Sequence, residues 1–270
     1  IKMFTFIIVV YKSDPEKLKY IINNIQKKYK IIIIDNSKNY NFNKFKNKRN
    51  LKIIRSENNG NGAGINIGLK KCKTKYAVYV DIDVVFKKKF FEKFLELAIK
   101  LKDKFVVLTP NAINYKSNKK LLEIYEFEAP VMLFNTKILK KINFFDEKFF
   151  LYFEELDLFL RCKKNKLKVY IATQFKITHN RSTSINLKRK SINKLKCLRQ
   201  WHYMWSMFYF YRKHNSYLYG FNKTIVFLIK DLIMVLICII RFDFLGLNLR
   251  ISRISGLLNS YLLLKSGKRL

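Results

Sequence analysis

Apolar runs at residues 4–10, 31–34, 51–54, 77–80 and 105–108 constrain this chain more than any other feature. They are short and nearly unbroken rather than alternating, the pattern of strands covered on both faces. Between them lie segments of helical spacing. The first opens at Ser13-Asp14-Pro15-Glu16, an order that predicts a capping box between Ser13 and Glu16 with Pro15 in the first turn. Others are predicted over 63–71 and 89–102. Strands alternating with helices imply an α/β fold, a doubly wound, mostly parallel sheet whose ligands sit at the carboxyl ends of its strands. With 270 residues, 49% of them hydrophobic, the chain has material for one such domain and a small appendage.

After about residue 187 the texture changes. A Lys-rich amphipathic stretch leads into Trp201-His202-Tyr203-Met204-Trp205, and residues 225–240 are apolar except for Lys230 and Asp231. A membrane-spanning helix needs about 20 apolar residues and tolerates central charges poorly. The segment is therefore expected to lie in a membrane interface, rimmed by Lys and Arg and anchored by aromatics, with ordinary helices packed on the catalytic domain or a hairpin through the membrane as the alternatives. The expected division is a catalytic α/β domain over 1–186 and a helical, aromatic and basic extension over 187–270. The chain carries 55 Lys and Arg against 19 Asp and Glu, a formal net charge of +36. Such a charge attracts anionic headgroups, phosphorylated substrates or nucleic acid. Its wealth of Lys, Asn, Ile, Phe and Tyr is also what an AT-rich genome encodes, and no nucleic-acid-binding signature accompanies it, so no specific nucleic-acid partner is expected. Four cysteines without a C-x-x-C pair, and an amino end that enters strand-like sequence at once, predict reduced thiols and a cytoplasmic setting.

Asp81-Ile82-Asp83 directly follows the run at 77–80. In a parallel sheet this sets two carboxylates on one side at a strand's carboxyl end, where burying paired charges is costly without a cation. Hard divalent cations, Mn²⁺ or Mg²⁺, take such oxygen ligands and bridge to phosphates. Glu154, Glu155 and Asp157 cluster at a predicted helix start behind a dense aromatic run, where a shielded carboxylate could act as a general base. The Gly-rich stretch at 57–68 fails the dinucleotide fingerprint, because Ile65 stands where its third glycine belongs, and is expected to open a helix that lets backbone approach a nucleotide. His179, beyond a strand-like segment and followed by Arg181 and Ser182, suits a metal or phosphate contact.

In order and spacing these segments resemble glycosyltransferase family 2, particularly its bacterial rhamnosyltransferase-like members. The matching motifs include Val9-Val10-Tyr11, Ile34-Asp35-Asn36-Ser37, the stretch at 57–68, Asp81-Ile82-Asp83, the acidic cluster and His179. The resemblance implies a GT-A fold in which Tyr11 and Asp35 border the nucleotide base, beside Val10. Asn59 and Asn66 would line the nucleotide-sugar cleft with Gly60. Asp81 would face ribose or metal, with Ile82 between it and Asp83, and Asp83 would bind the metal, helped by His179. The family's Glu-Asp pair falls on Glu154-Glu155, which gives the catalytic position to Glu155. The same resemblance implies an inverting, metal-dependent enzyme. It would move a sugar from a nucleotide-diphosphate donor (dTDP-rhamnose or a UDP-sugar) to a hydroxyl of a growing cell-envelope glycan on a lipid carrier, in peripheral contact with the inner face of the cytoplasmic membrane. A soluble acceptor, a catalytically dead homologue and a basic nucleic-acid-binding protein that is not an enzyme stay open as alternatives.

Overall fold

The computed structural model describes residues 3–38, 40–45, 48–87, 89–112, 114–180 and 189–269. Arg181, Ser182 and the expected boundary at 186–187 lie outside the described residues. The chain divides into two compact units, Ile1–Asp146 with Glu155–Asn186, and Glu147–Glu154 with Leu187–Leu270.

The first unit is built on one sheet. Strands β1 (Phe4–Val10), β2 (Lys30–Asp35), β3 (Leu51–Arg55) and β4 (Tyr76–Val80) are parallel, in the order β3-β2-β1-β4. The sheet continues through β8 (Val131–Asn135), which runs antiparallel to β4, then β6 (Val107–Asn111), β9 (Val169–His179) and β5 (Val84–Phe86). The short β7 (Leu121–Glu123) also pairs with β9. The expected α/β sheet flanked by helices is present, but it is mixed rather than mostly parallel: β8 runs antiparallel to both β4 and β6, and β5 and β7 run antiparallel to β9.

Alternation along β1 explains the two covered faces. Phe4, Phe6, Ile8 and Val10 join one core with Leu18, Ile21 and Ile22 of α1 (Pro15–Asn24) and Phe90, Phe91 and Phe94 of α3 (Phe90–Leu101). Ile7 points the other way, into a core with Ile65 and Leu69 of α2 (Asn61–Lys71) and Leu158 and Phe159 of α5 (Glu154–Lys164). The short α4 (Thr136–Lys140) follows β8. Two local expectations change. Asp14, not Ser13, caps α1, accepting from the Glu16 N–H at 2.9 Å. With Pro15 at the first helical position the cap must be the residue just ahead of it, and Ser13 instead accepts from the Tyr11 N–H. The strand expected at 105–108 begins two residues later and runs on to Asn111.

Two glycines of α2, Gly64 and Gly68, are packing devices. A Cβ at Gly64 would stand 2.8 Å from Val9 Cγ1, and one at Gly68 would stand 2.5 Å from Ile7 Cγ2. Set four residues apart, they let one face of the helix lie directly on the central strand β1.

The second unit is helical, with α6 (Arg189–His214), α7 (Tyr217–Ile240) and α8 (Phe244–Tyr261). Trp201, Trp205 and Tyr209 pack with Phe149, and Met204, Met207 and Phe208 pack with Leu257. Asp231, almost wholly buried, pairs with Arg250 at 2.8 Å and Arg253 at 2.7 Å, and Arg253 also donates to Gln200, so one carboxylate ties all three helices. Among the described residues no helix is long and apolar enough to cross a membrane.

Gly68→Ala tests the contact of α2 with β1. Alanine should gain about 1 kcal/mol of helix propensity, but Ile7 sits fully buried in a central strand and cannot yield cheaply. A net loss of about 1–2 kcal/mol in urea unfolding is expected, against almost none for Lys71→Ala at an exposed position of the same helix.

Candidate active site

The site begins where β4 ends. Period-two alternation carries Tyr79 and Asp81 on one side of the chain, and the Asp81 N–H is fixed by the Pro130 carbonyl at 2.8 Å. The chain then turns at Ile82, which is buried in the core, and re-enters the sheet as β5. β5 pairs antiparallel with β9 so that Val84 stands opposite His179, and the Asn180 N–H donates to the Asp83 carbonyl at 3.0 Å. That register brings His179 Nε2 to 3.1 Å from Asp83 Oδ1 and 4.0 Å from Asp81 Oδ2.

Asp81, Asp83 and His179 thus offer two carboxylate oxygens and one imidazole nitrogen, all within 4.8 Å of one another. Among the described residues this is the one group of its kind. The donor set fits a divalent cation that prefers oxygen and accepts one nitrogen, as Mn²⁺ or Mg²⁺ does. Electrostatics point the same way. Protein packs closely around Asp81, although 32% of its side chain meets solvent. That enclosure first, and the neighbouring Asp83 second, push its carboxyl up to about 6, against the opposing pull of Tyr79 and His179. A cation at this place would relieve the repulsion between the two acids.

Tyr79 supports the pair from behind, a role the sequence motifs did not announce. Its hydroxyl donates to Asp81 Oδ1 and accepts from Asn61 Nδ2 at 2.9 Å. Burial, followed by the charge of Asp81, drives the phenol well above its ordinary range, so it remains a donor; Glu155 adds to the same effect. A hydroxyl two residues ahead of an acid, on the same strand face, was the available signal. Asn61 had none, because it arrives from the start of α2.

The other expected residues separate into two groups. Val10 is buried at the end of β1, with Tyr11 half-buried beside it, and Asn59 is exposed just ahead of Gly60. Gly60 occupies the cap position of α2 with φ 103°, a backbone conformation that favours glycine. Glu155 is half-buried in the first turn of α5, and Glu154 is buried at its start. Directly ahead of that helix Tyr152 and Phe153 both hold left-handed backbone, with φ of 66° and 67°; such costly pairs gather at functional sites.

Three of the expected residues make structural contacts. Asp35 is fully buried and accepts from the Ser37 and Tyr40 N–H groups, closing its own loop. Asn66 exchanges two hydrogen bonds with the backbone of Phe145, at 2.9 and 3.0 Å, so its amide clamps a loop. Asp157 is fully buried and held by Arg161 Nε at 2.8 Å, while Arg161 also donates to the Ile142 and Phe144 carbonyls. Through Arg161 its carboxylate anchors α5 to the preceding loop.

A doubly wound sheet with an acid pair at the end of a central strand is the frame on which α/β proteins bind nucleotides. The sequence matches the family described as "Glycosyl transferase family 2" over residues 5–160, and the chain belongs to that family of glycosyltransferases. No curated protein is significantly similar to it in sequence. Among solved structures it resembles a mannosyltransferase from Pyrobaculum calidifontis in complex with GDP-Man and Mn²⁺. The TM-score is 0.57 at 8% identity, covering 96% of this chain and 86% of that one. It also resembles TarS 1-349 of S. aureus in complex with UDP-GlcNAc, with TM-score 0.53, 15% identity and coverage of 96% and 90%. GalNAc-T7 with UDP, GalNAc and Mn²⁺ matches with TM-score 0.55 at 11% identity, over 82% of this chain. The chain spans 39% of another TarS structure and 56% of GalNAc-T7. At these identities the likeness is one of fold, the GT-A fold.

Two substitutions separate support from anchoring. Tyr79→Phe, measured by calorimetric titration with Mn²⁺, should weaken metal binding about tenfold by freeing Asp81 to turn, while leaving the melting temperature nearly unchanged. Arg161→Ala should cost about 3 kcal/mol in denaturant unfolding, because it removes the cation that pairs with the buried Asp157.

Proposed function

We propose that the first unit transfers a sugar from a nucleotide-diphosphate donor, in a metal-dependent single displacement that inverts the anomeric centre, to a hydroxyl of a growing cell-envelope glycan on a lipid carrier. The observation that carries this is the Asp81–Asp83–His179 cluster at the carboxyl end of β4, inside a glycosyl transferase family 2 domain. A divalent cation bound there supplies positive charge to the diphosphate as it leaves.

The remaining roles belong to the chain's own residues. Asp83 and His179 hold the cation site in register through the β5–β9 pairing, and Tyr79 fixes the orientation of Asp81. Glu155 is the proposed base. It removes the proton of the acceptor hydroxyl as that oxygen bonds to the anomeric carbon, and the bond from that carbon to the diphosphate oxygen breaks. The position of Glu155 in the first turn of α5, close enough to Tyr79 to influence its phenol, favours it over Asp157, which Arg161 holds. Gly60 and the amino end of α2 suit an approach of backbone to phosphate, and Val10 and Tyr11 suit the nucleotide base. The donors favoured are dTDP-rhamnose and UDP-sugars.

Calorimetry with dTDP, UDP and GDP, in Mn²⁺ or Mg²⁺ and again with chelator, tests the donor half. One nucleotide should bind only with metal, and Asp83→Ala should abolish that binding; absence of nucleotide binding under every condition would sink the proposal. Glu155→Gln should retain nucleotide affinity and lose transfer by about a thousandfold or more, read as sugar appearing on acceptor. Full activity in that variant would remove Glu155 from the role.

A further inference from the structure

The helical unit carries an apolar surface that nothing within the unit covers. Along α7 the residues Val226, Ile229, Leu232, Ile233, Leu236 and Ile240 are each 50% to 76% exposed. At 3.6 residues per turn they fall within an arc of about 120°. Asp231 lies on the opposite side, buried against Arg250 and Arg253, so the charge that interrupts this apolar segment in the sequence is turned inward. Lys223 and Lys230, seven residues apart and both exposed, form a row along one margin of the apolar arc.

The surface continues around the turn into α8. Phe242 and Phe244 are 79% and 71% exposed, and Arg241 is exposed beside them. Phe242 holds left-handed backbone at φ 53°, which a bulky residue adopts at a cost. The turn itself is firmly made, since the Gly246 N–H donates to Asp243 at 2.8 Å. Two exposed phenylalanine rings on a rigid tip, one of them on strained backbone, need a medium that takes them out of water.

We infer that this face of α7, with the tip formed by Phe242 and Phe244, seats the protein on an anionic lipid bilayer, lying in the headgroup region rather than crossing it. Charge selects the occupant. Over residues 187–270 the sequence has 16 Lys and Arg against two acids, Asp231 and Asp243, and Asp231 is neutralised by its arginine partners. A second copy pressed onto this face would bring the same excess of positive charge, whereas anionic headgroups neutralise it. An apolar arc with cations at its margin and aromatics at its end is what an interfacial helix requires.

The inference deepens the proposal of a lipid-linked acceptor by naming the surface that would bring the enzyme to its carrier. It can be tested with no sugar donor present, so its failure and the failure of sugar transfer are read in separate experiments. The 270-residue chain is floated with vesicles of phosphatidylcholine containing phosphatidylglycerol, and with phosphatidylcholine alone. Wild type should float with the anionic vesicles and far less with the neutral ones. Leu236→Glu combined with Ile240→Glu should reduce flotation by about tenfold or more, and Lys223→Gln combined with Lys230→Gln should reduce it several-fold and in a salt-sensitive way. Ile99→Glu, which alters an exposed apolar residue of α3, serves as the control and should float as wild type does. Both altered sites on α7 are exposed, and circular dichroism checks that each variant is folded. Equal flotation of the Leu236/Ile240 variant would overturn the inference, as would equal flotation of wild type on both kinds of vesicle. A dimer seen by sedimentation that this variant dissociates, in a wild type that binds no vesicle, would assign the face to a second copy instead.

Discussion

Two carboxylates two residues apart repel each other, and the construction around Asp81 and Asp83 answers that repulsion. One acid ends a central strand; the other begins the return into an edge strand whose partner ends in a histidine. The antiparallel register of β5 on β9 is therefore the interaction on which the site depends. A slip of one residue would turn His179 to the opposite face and leave two acids with nothing between them. Tyr79 and Asn61 add a hydrogen-bonded brace that holds Asp81 from behind, so the carboxylate nearest to solvent is also the one most closely oriented.

The sheet beneath is made to hold such a site still. β1 is covered on both faces, and α2 comes close enough to touch it only because Gly64 and Gly68 lack side chains at the point of contact. The same helix is capped by Gly60 and contributes its first residue, Asn61, to the brace on Tyr79. Close packing and the placing of polar groups are thus one arrangement, since moving α2 outward by the width of a methyl group would also withdraw Asn61. Arg161 plays a comparable part for α5. It binds Asp157 and two loop carbonyls, which steadies the first turn where Glu155 stands.

In the helical unit, charge is handled differently. Asp231 takes two arginines inward and links three helices, and the outward side of α7 is left almost wholly apolar. In the linear sequence Lys230 and Asp231 look like a polar break in an apolar helix. On the wheel they diverge, one to the margin of the exposed arc and one into the interior, and a segment unfit to span a membrane becomes a helix with a broad apolar side.

How much of this is legible in the chain alone depends on the range of the forces involved. Strand runs, the start of α1, the extent of α2 and α3, the acid pair at the end of β4 and the family resemblance are all local in the chain, since each rests on spacing over a few residues. They emerged from the sequence with only small displacements, such as Asp14 taking the cap from Ser13. What a polar side chain does once the chain is folded is not local. Asn66 meets Phe145 across 79 residues and His179 meets Asp83 across 96, while Asp157 finds Arg161 one turn away and, through it, loop carbonyls further off. The sequence by itself determined an α/β sheet with two apolar faces and a pair of carboxylates at a strand end, because hydrophobic periodicity and strand length are properties of neighbouring residues. Only the tertiary structure decided which partner each buried acid and amide takes, because a buried hydrogen-bonding group takes whichever partner the packing brings within reach.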